Sequence, residues 1–247
     1  MAWVSGSSTW AASSASISSK ATSPWCGKMI LGISASGRRP KRNESGTLLC
    51  GSTEEIIHYL LEKTGEPYGL VSLSDKVIRG CVGCVKCAGS NICVLEDDWA
   101  EIRDKMLQAD AVVFGAPDYY GVINSLGHAF LERTFSLRHR EVFLLSGKLN
   151  AIVTSGPAET NPVEEHIRKM FRSNHMAEPV GVVNVPGLSQ CYQCGYGKDC
   201  AAGSVVSRHG FLDEIKEYHL PVLPAETYKK ADIVAQKLGN MVRAKKN

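Results

Sequence analysis

Short apolar runs alternate along this chain with longer stretches in which apolar residues recur every three or four positions. The runs are Met29 to Ser34, Tyr68 to Leu73, Ala111 to Gly115, Asn150 to Thr154 and Val180 to Val185. Each is short and bounded by turn residues, which predicts five strands. The periodic stretches Thr47 to Lys63, Trp99 to Gln108, Leu126 to Phe135, Val163 to Phe171 and Ala225 to Arg243 predict helices, the first stopping near Gly65. Nearly continuous apolar strands that alternate with helices imply an α/β fold, a doubly wound five-stranded parallel sheet covered on both faces. Right-handed crossovers then bring the loops that follow the strands to one edge, where ligands of open sheets bind at the topological switch point.

Those loops carry compatible chemistry. After the first strand come Ser34, Ser36, Gly37 and Arg38, with Ser45, Gly46 and Thr47 ahead of the expected first helix. Hydroxyls, a guanidinium and a helix N-terminus converging on one loop make a phosphate site. The loop has neither G-x-G-x-x-G nor the Walker A Gly-Lys-Ser/Thr, so dinucleotide and P-loop readings lose ground. After the third strand, Pro117, Asp118, Tyr119, Tyr120 and Gly121 combine a fixed backbone with two flat, polar-tipped rings. After the fourth, Thr154, Ser155, Gly156 and Pro157 are small enough for close approach of a ligand to the backbone. Each loop alone would pass for a capped turn. Three consecutive strand ends carry more weight than any one.

Nine cysteines change the picture, because seven of them fall in two groups. Cys81-x2-Cys84-x2-Cys87-x5-Cys93 places three thiols two residues apart and a fourth slightly further on, among Gly80, Gly83, Gly89 and Ser90. Bacterial ferredoxins open with the same spacing around a four-thiolate cubane. Structural zinc takes two knuckles separated by a longer arm, and fits less well. The second group, Cys191-x2-Cys194-x5-Cys200, offers three ligands for a second iron–sulfur cluster or a zinc ion, with Cys26, Cys50 and His209 as candidates for a fourth. Cys50, expected on the first helix, reads by default as a buried free thiol. Clustered thiols in a long α/β chain without a secretory signal point to metal in a reducing cytoplasm rather than to a disulfide scaffold.

Composition excludes more than it assigns. The 247 residues carry a formal charge of only +3, and no basic run interleaved with aromatics argues for nucleic acid. No stretch reaches the ~20 apolar residues of a membrane span. Residues 1–28 are Ser/Ala/Thr-rich, lack the features of a signal or transit peptide, and read as a disordered or non-native extension ahead of Met29. Residues 29–190 then form the ligand-binding domain with the cysteine loop 80–94 inserted, and 191–247 a cysteine-containing extension with a helix. Single groups such as His128 and Asp118 read as solvated or capping residues, and nothing points to acid/base hydrolysis.

The stretch Gly32 to Arg38, followed by Ser45 and Thr47, resembles the FMN-phosphate loop of NAD(P)H-dependent FMN reductase-like flavodoxin folds. Ala116-Pro117-Asp118-Tyr119-Tyr120-Gly121 is similar to their Ser-Pro-x-Tyr-x-Gly flavin loop, and His128 to Arg133 resembles the helix that follows it. Gly37 stands where the family has proline, and the phosphate loop is longer and more basic. The compact cysteine motif inside such a chain, with Asp97-Asp98-Trp99 downstream, resembles the iron–sulfur flavoproteins of anaerobic archaea and bacteria over Met29 to about Phe171. That resemblance implies a flavodoxin-like fold, FMN near a subunit interface, a [4Fe–4S] cluster on Cys81, Cys84, Cys87 and Cys93, and a homodimer or homotetramer.

Three readings follow. An electron-transfer flavoprotein would link a two-electron donor to a one-electron carrier such as ferredoxin, the protein placing and tuning its cofactors. An NAD(P)H-dependent flavin or quinone reductase, or a small-molecule dehydrogenase, is the alternative. A non-redox zinc-binding interaction module is the third. Both redox readings expect the cysteine loop and the flavin loops to open on the same rim of the sheet.

Overall fold

A computed structural model describes residues 29–156 and 162–245. The expectations for residues 1–28, for Cys26 and for Pro157 lie outside the described residues. Five strands form the central parallel sheet: β1 (Ile30–Ser34), β2 (Tyr68–Ser72), β3 (Ala111–Tyr119), β4 (Leu149–Gly156) and β5 (Val182–Pro186), in the order β2-β1-β3-β4-β5. All four pairings are parallel, with Ile30 level with Tyr68 and Ala111, and Ala111 level with Leu149. The switch point lies between β1 and β3, the place where open sheets hold ligands.

Helices α1 (Ser52–Thr64), α2 (Trp99–Gln108), α3 (Ser125–Arg133), α4 (Pro162–Ser173), α5 (Ser204–His209) and α6 (Ala225–Ala244) complete the chain. The three central strands β1, β3 and β4 are buried on both faces, so two cores form. On one side Leu31, Ile33, Val112 and Phe114 pack with Trp99 of α2, Phe130 of α3 and Phe171 of α4. On the other, Ile30, Val113 and Val153 pack with Ile57 and Leu61 of α1 and Val234 and Leu238 of α6. Because α6 lies against α1 in that second core, the expected boundary at residue 190 does not set the C-terminal helix apart from the domain.

Local chemistry explains the helix ends. The Asn124 side chain accepts the Gly127 N–H at the start of α3. Pro162 and the acidic pair Glu164 and Glu165 suit the first turn of α4. Helix α1 begins later than its periodicity predicts. Leu48–Cys50 instead pairs antiparallel with Lys41–Arg42. The Asn43 side chain closes the turn between them by accepting the Thr47 N–H at 2.7 Å. Cys50 is therefore on a short strand, where its thiol donates to the Arg39 carbonyl, and not on the helix. β3 likewise outruns its apolar core, and its end folds back as a hairpin onto Val122–Ile123. Tyr120 and Gly121 at the tip have φ of 59° and 79°, the left-handed pair that such a two-residue turn requires.

Candidate functional site

A cleft opens at the carboxyl ends of β1, β3, β4 and β5. One end is lined by Ser36, Arg38 and the start of α1, Gly51 to Thr53. Gly51 has φ 78°, and a Cβ there would stand 2.4–2.6 Å from the backbone of Arg39 and Pro40. Only glycine fits this close, left-handed bend. No side chain caps α1, so the free N–H groups of its first turn, with Ser36, Ser52, Thr53 and Arg38, form a donor set for an anion such as a phosphate.

The ring end of the cleft is formed by Pro117, Asp118 and Tyr119 facing Ser155 and Gly156, with Gly187 to Gln190 as a further wall. Asp118 is held in place by accepting the Gly121 N–H at 2.7 Å. Thr53 donates to Ser155 across 2.8 Å, joining α1 to β4. Asn124 donates to the Ala35 carbonyl at 2.6 Å, joining the loops after β1 and β3. The residues present fit FMN: donors for a phosphate at one end, and a narrow slot with one tyrosine face at the other.

Of the expected ligand-binding residues, the cleft gathers Ser36, Arg38, Pro117, Asp118, Tyr119, Ser155 and Gly156. It does not gather Ser45, Gly46 or Thr47. These lie in the hairpin ahead of α1, where Ser45 and Thr47 donate to the Glu217 carboxylate instead. Ser34 is buried at the end of β1, its Oγ accepting the Ser36 N–H at 3.3 Å. Thr154 is buried and donates to Asn184 at 2.6 Å. Gly121 and the fully exposed Tyr120 sit on the hairpin tip. Gly51, Ser52 and Thr53, and the 187–190 wall, are the residues sequence reasoning missed. The Gly-Ser-Thr-Glu-Glu run before an apolar-periodic stretch was the available signal for the first of them.

The Cys81–Cys93 loop leaves the carboxyl end of β2 as expected and then folds alongside α3. All four cysteines line one recess, with Val82, Val85, Val94, Leu95 and Phe135 around them. Burial pushes the Cys87 thiol up, and the nearby Cys93, Cys81 and Cys84 add to the shift. Arg133, wholly buried, lines the same recess. It donates to Asp97 at 2.6 Å and to the Arg79 carbonyl at 2.9 Å, and lies over the Trp99 ring. Its Nε is buried with no hydrogen-bond partner among the described residues. Burial alone would raise the Asp97 carboxyl. The Arg133 guanidinium and the N–H groups of Arg79 and Trp99 outweigh it and hold Asp97 below the usual carboxylate range.

Further partners steady the loop. Glu132 accepts the Cys81 N–H at 3.2 Å and also meets His128, which is 3.2 Å from His166. Burial, with His128 as a second cause, lowers the His166 pKa. Cys87 Sγ and His139 Nε2 are 3.0 Å apart, and Asn91 accepts the His139 backbone N–H at 2.9 Å. Four thiols in an apolar recess, beside a buried cation with a free donor, fit an anionic iron–sulfur cluster. Among the described residues no three His, Cys, Asp or Glu side chains close tightly enough to hold a single metal ion.

Recess and cleft have no lining residue in common. The cleft takes residues just ahead of α3 and the recess takes Arg133, Phe135 and Ser136 at its far end. The cysteine loop leaves the carboxyl end of β2, next to β1, and the cleft opens at the carboxyl ends of β1, β3, β4 and β5, so both start from one edge of the sheet. The loop then meets Glu132 and Arg133 at the end of α3. The second cysteine group follows the 187–190 wall of the cleft. Ser189 and Ser204, the foremost of its partners, hold the Cys191 thiol below its usual range. His209 is engaged by the Tyr192 hydroxyl at 2.9 Å.

Residues 28–189 match the model of a family described as NADPH-dependent FMN reductase. The chain belongs to this family. It is an FMN-dependent oxidoreductase, which sets aside the zinc-binding interaction module. An iron–sulfur flavoprotein of Methanocaldococcus jannaschii is 30% identical over 141 residues, covering 57% of this chain and 68% of the relative. One from Methanosarcina thermophila is 28% identical over 147 residues, covering 60% and 73%. Among solved structures, RosB with bound 8-demethyl-8-formylriboflavin-5'-phosphate superposes with a TM-score of 0.57 at 15% identity, covering 89% of this chain and 81% of RosB. An azoreductase from Bacillus anthracis superposes with a TM-score of 0.51 at 16% identity, covering 85% and 99%. These two likenesses show the fold. No helix among the described residues is long and apolar enough to cross a membrane.

Proposed function

We propose that this flavoprotein transfers electrons between FMN in the cleft and a [4Fe–4S] cluster on Cys81, Cys84, Cys87 and Cys93. It would thereby link a two-electron donor to a one-electron carrier such as a ferredoxin. The observation that carries this reading is the convergence of four thiols on one apolar recess beside the buried Arg133, whose Nε is unpartnered. The names of the archaeal relatives support it, and the family description favours NADPH as the donor.

When bound, the flavin supplies two-electron chemistry and the cluster one-electron chemistry. The chain's own residues do the rest. Ser36, Arg38, Ser52 and Thr53 bind the phosphate, and Tyr119 with Pro117 and Gly156 orients the ring. Arg133 offsets the cluster's negative charge, while Val82, Val85, Val94 and Phe135 give the recess an apolar lining. Val77, Val82, Val85, Ile92 and Val94 are exposed apolar side chains on and around the loop. Such a surface suits a second copy of the chain, as in a homodimer or homotetramer.

Purification without oxygen, followed by flavin, iron and sulfide analysis, tests the reading. About one flavin and at least about four irons per chain are expected. A protein free of both iron and flavin would overturn it. Undiminished turnover of NADPH with a quinone after loss of all iron would select the reductase reading instead.

A further inference from the structure

The C-terminal cysteines repeat part of the first motif. Cys84-x2-Cys87-x5-Cys93 and Cys191-x2-Cys194-x5-Cys200 have identical spacing. The second group lies in the connection from β5 to α6, whose only buried apolar side chains are Leu188, Val205 and Leu223. So little apolar burial does not hold a long connection in shape, and stretches of this kind are ordinarily cross-linked by metal or disulfide.

The backbone here is arranged around sulfur. The Ser204 N–H donates to Cys191 Sγ and the Tyr196 N–H to Cys194 Sγ, each at 3.4 Å. Gly195, directly after the second cysteine, has φ 84°, which turns the chain back over that sulfur. A Cβ at Gly197 would stand 1.9 Å from the Cys191 carbonyl oxygen, and one at Gly203 3.5 Å from Cys200 Sγ. The Gly203–Ser204 peptide thus touches both Cys191 and Cys200, and all three cysteines border one small loop. No three metal-ligating side chains among the described residues close to single-ion spacing, here or at the first loop.

We propose that Cys191, Cys194 and Cys200 hold a second iron–sulfur cluster. It sits against the Ser189–Gln190 wall of the cleft, and the Gln193 side chain ties it to the Leu49 carbonyl beside the start of α1. Three thiolates leave one corner of a cubane to a non-protein ligand, or hold a cluster with one iron fewer. The second group adjoins the cleft through its 187–190 wall, and the first loop lies against the end of α3. An electron pair delivered to the flavin site can then divide, one electron to each cluster. The assignment of the ligands does not depend on the Cys81 loop, although the division of electrons does.

The test uses the full chain purified without oxygen, with iron, sulfide, zinc and flavin measured on the wild type, on Cys194→Ser and on Cys81→Ser/Cys84→Ser. The wild type is expected to hold about seven or eight irons, from about four per cubane, and each variant about half of that with its flavin retained. Unchanged iron in Cys194→Ser, or zinc lost with Cys194 in place of iron, overturns the second cluster. So does recovery of Cys191 and Cys194 as a disulfide by peptide mapping after anaerobic alkylation. If only Cys81→Ser/Cys84→Ser keeps all its iron, the reading of the first loop fails and this one stands. Should Cys194→Ser fail to fold, Mössbauer spectra of the wild type decide, because a single cluster type with about four irons would exclude the second.

Discussion

The cleft and the cysteine recess are built by opposite means. The cleft is made of backbone and small residues: Gly51, Ser52, Thr53, Ser155 and Gly156 leave room, and an uncapped helix start supplies donors. The recess is made of side chains, with four thiols and apolar groups closed behind by Arg133 and its partner Asp97. A phosphate and a flat ring are met by fixed dipoles that need no charge of their own beyond Arg38. A cluster needs sulfur ligands, a dry wall and a counter-charge, which only side chains provide. The two regions should therefore fail differently when mutated.

The largest effect is expected from the ligands. Cys81→Ser/Cys84→Ser should remove nearly all iron from the recess while flavin binding stays near the wild-type value, as read by iron analysis and flavin fluorescence. Loss of flavin in parallel would erase the distinction between the two regions. Next comes Arg133→Ala. It leaves Asp97 buried and unpaired and removes the contact with Trp99, costing about 3–5 kcal/mol, measurable by denaturant unfolding of the cluster-free protein. A cost below about 1 kcal/mol would mean that Arg133 is not part of the recess wall in solution.

Gly51→Ala acts on the other region. The left-handed bend and the contacts with Arg39 and Pro40 should cost at least about 2 kcal/mol. FMN affinity should fall roughly tenfold or more, with iron content unchanged. Equal FMN affinity would show that the start of α1 does not hold the phosphate. The smallest change is expected from His139→Ala. A ring N–H donated to Cys87 sulfur stabilises the reduced, more negative cluster, so its loss should lower the cluster potential and leave the flavin potential alone. Redox titration followed by EPR reads both, and a flavin potential that moved with the cluster's would contradict the separation.

Much of this was legible from residue order. The five strands were found because their apolar runs are short and bounded by turn residues, and the core of each survives in the fold, with β3 and β4 running past their expected ends. The compact cysteine spacing was legible because a cluster's ligands must be close along a short loop. The phosphate end was misread at Ser45, Gly46 and Thr47. Leu48–Cys50, which continue the apolar periodicity of the first helix, pair instead with Lys41–Arg42, so Ser45–Thr47 become the hairpin turn ahead of α1. Connection rules fix where the cysteine loop leaves the sheet and not which helix it then packs against, so its contact with the end of α3 was not legible.

Sequence alone determined the five sheet strands and five of the six helices, in order, and which side chains have the chemistry for sulfur ligation, because those properties are local. Only the tertiary structure decided that α1 starts at Ser52 with its N–H groups in the cleft, that Arg133 is buried behind the thiols, and that the cysteine loop packs against the end of α3. Each of these depends on contacts between residues far apart in the chain, made for the sake of burying apolar surface around the whole sheet.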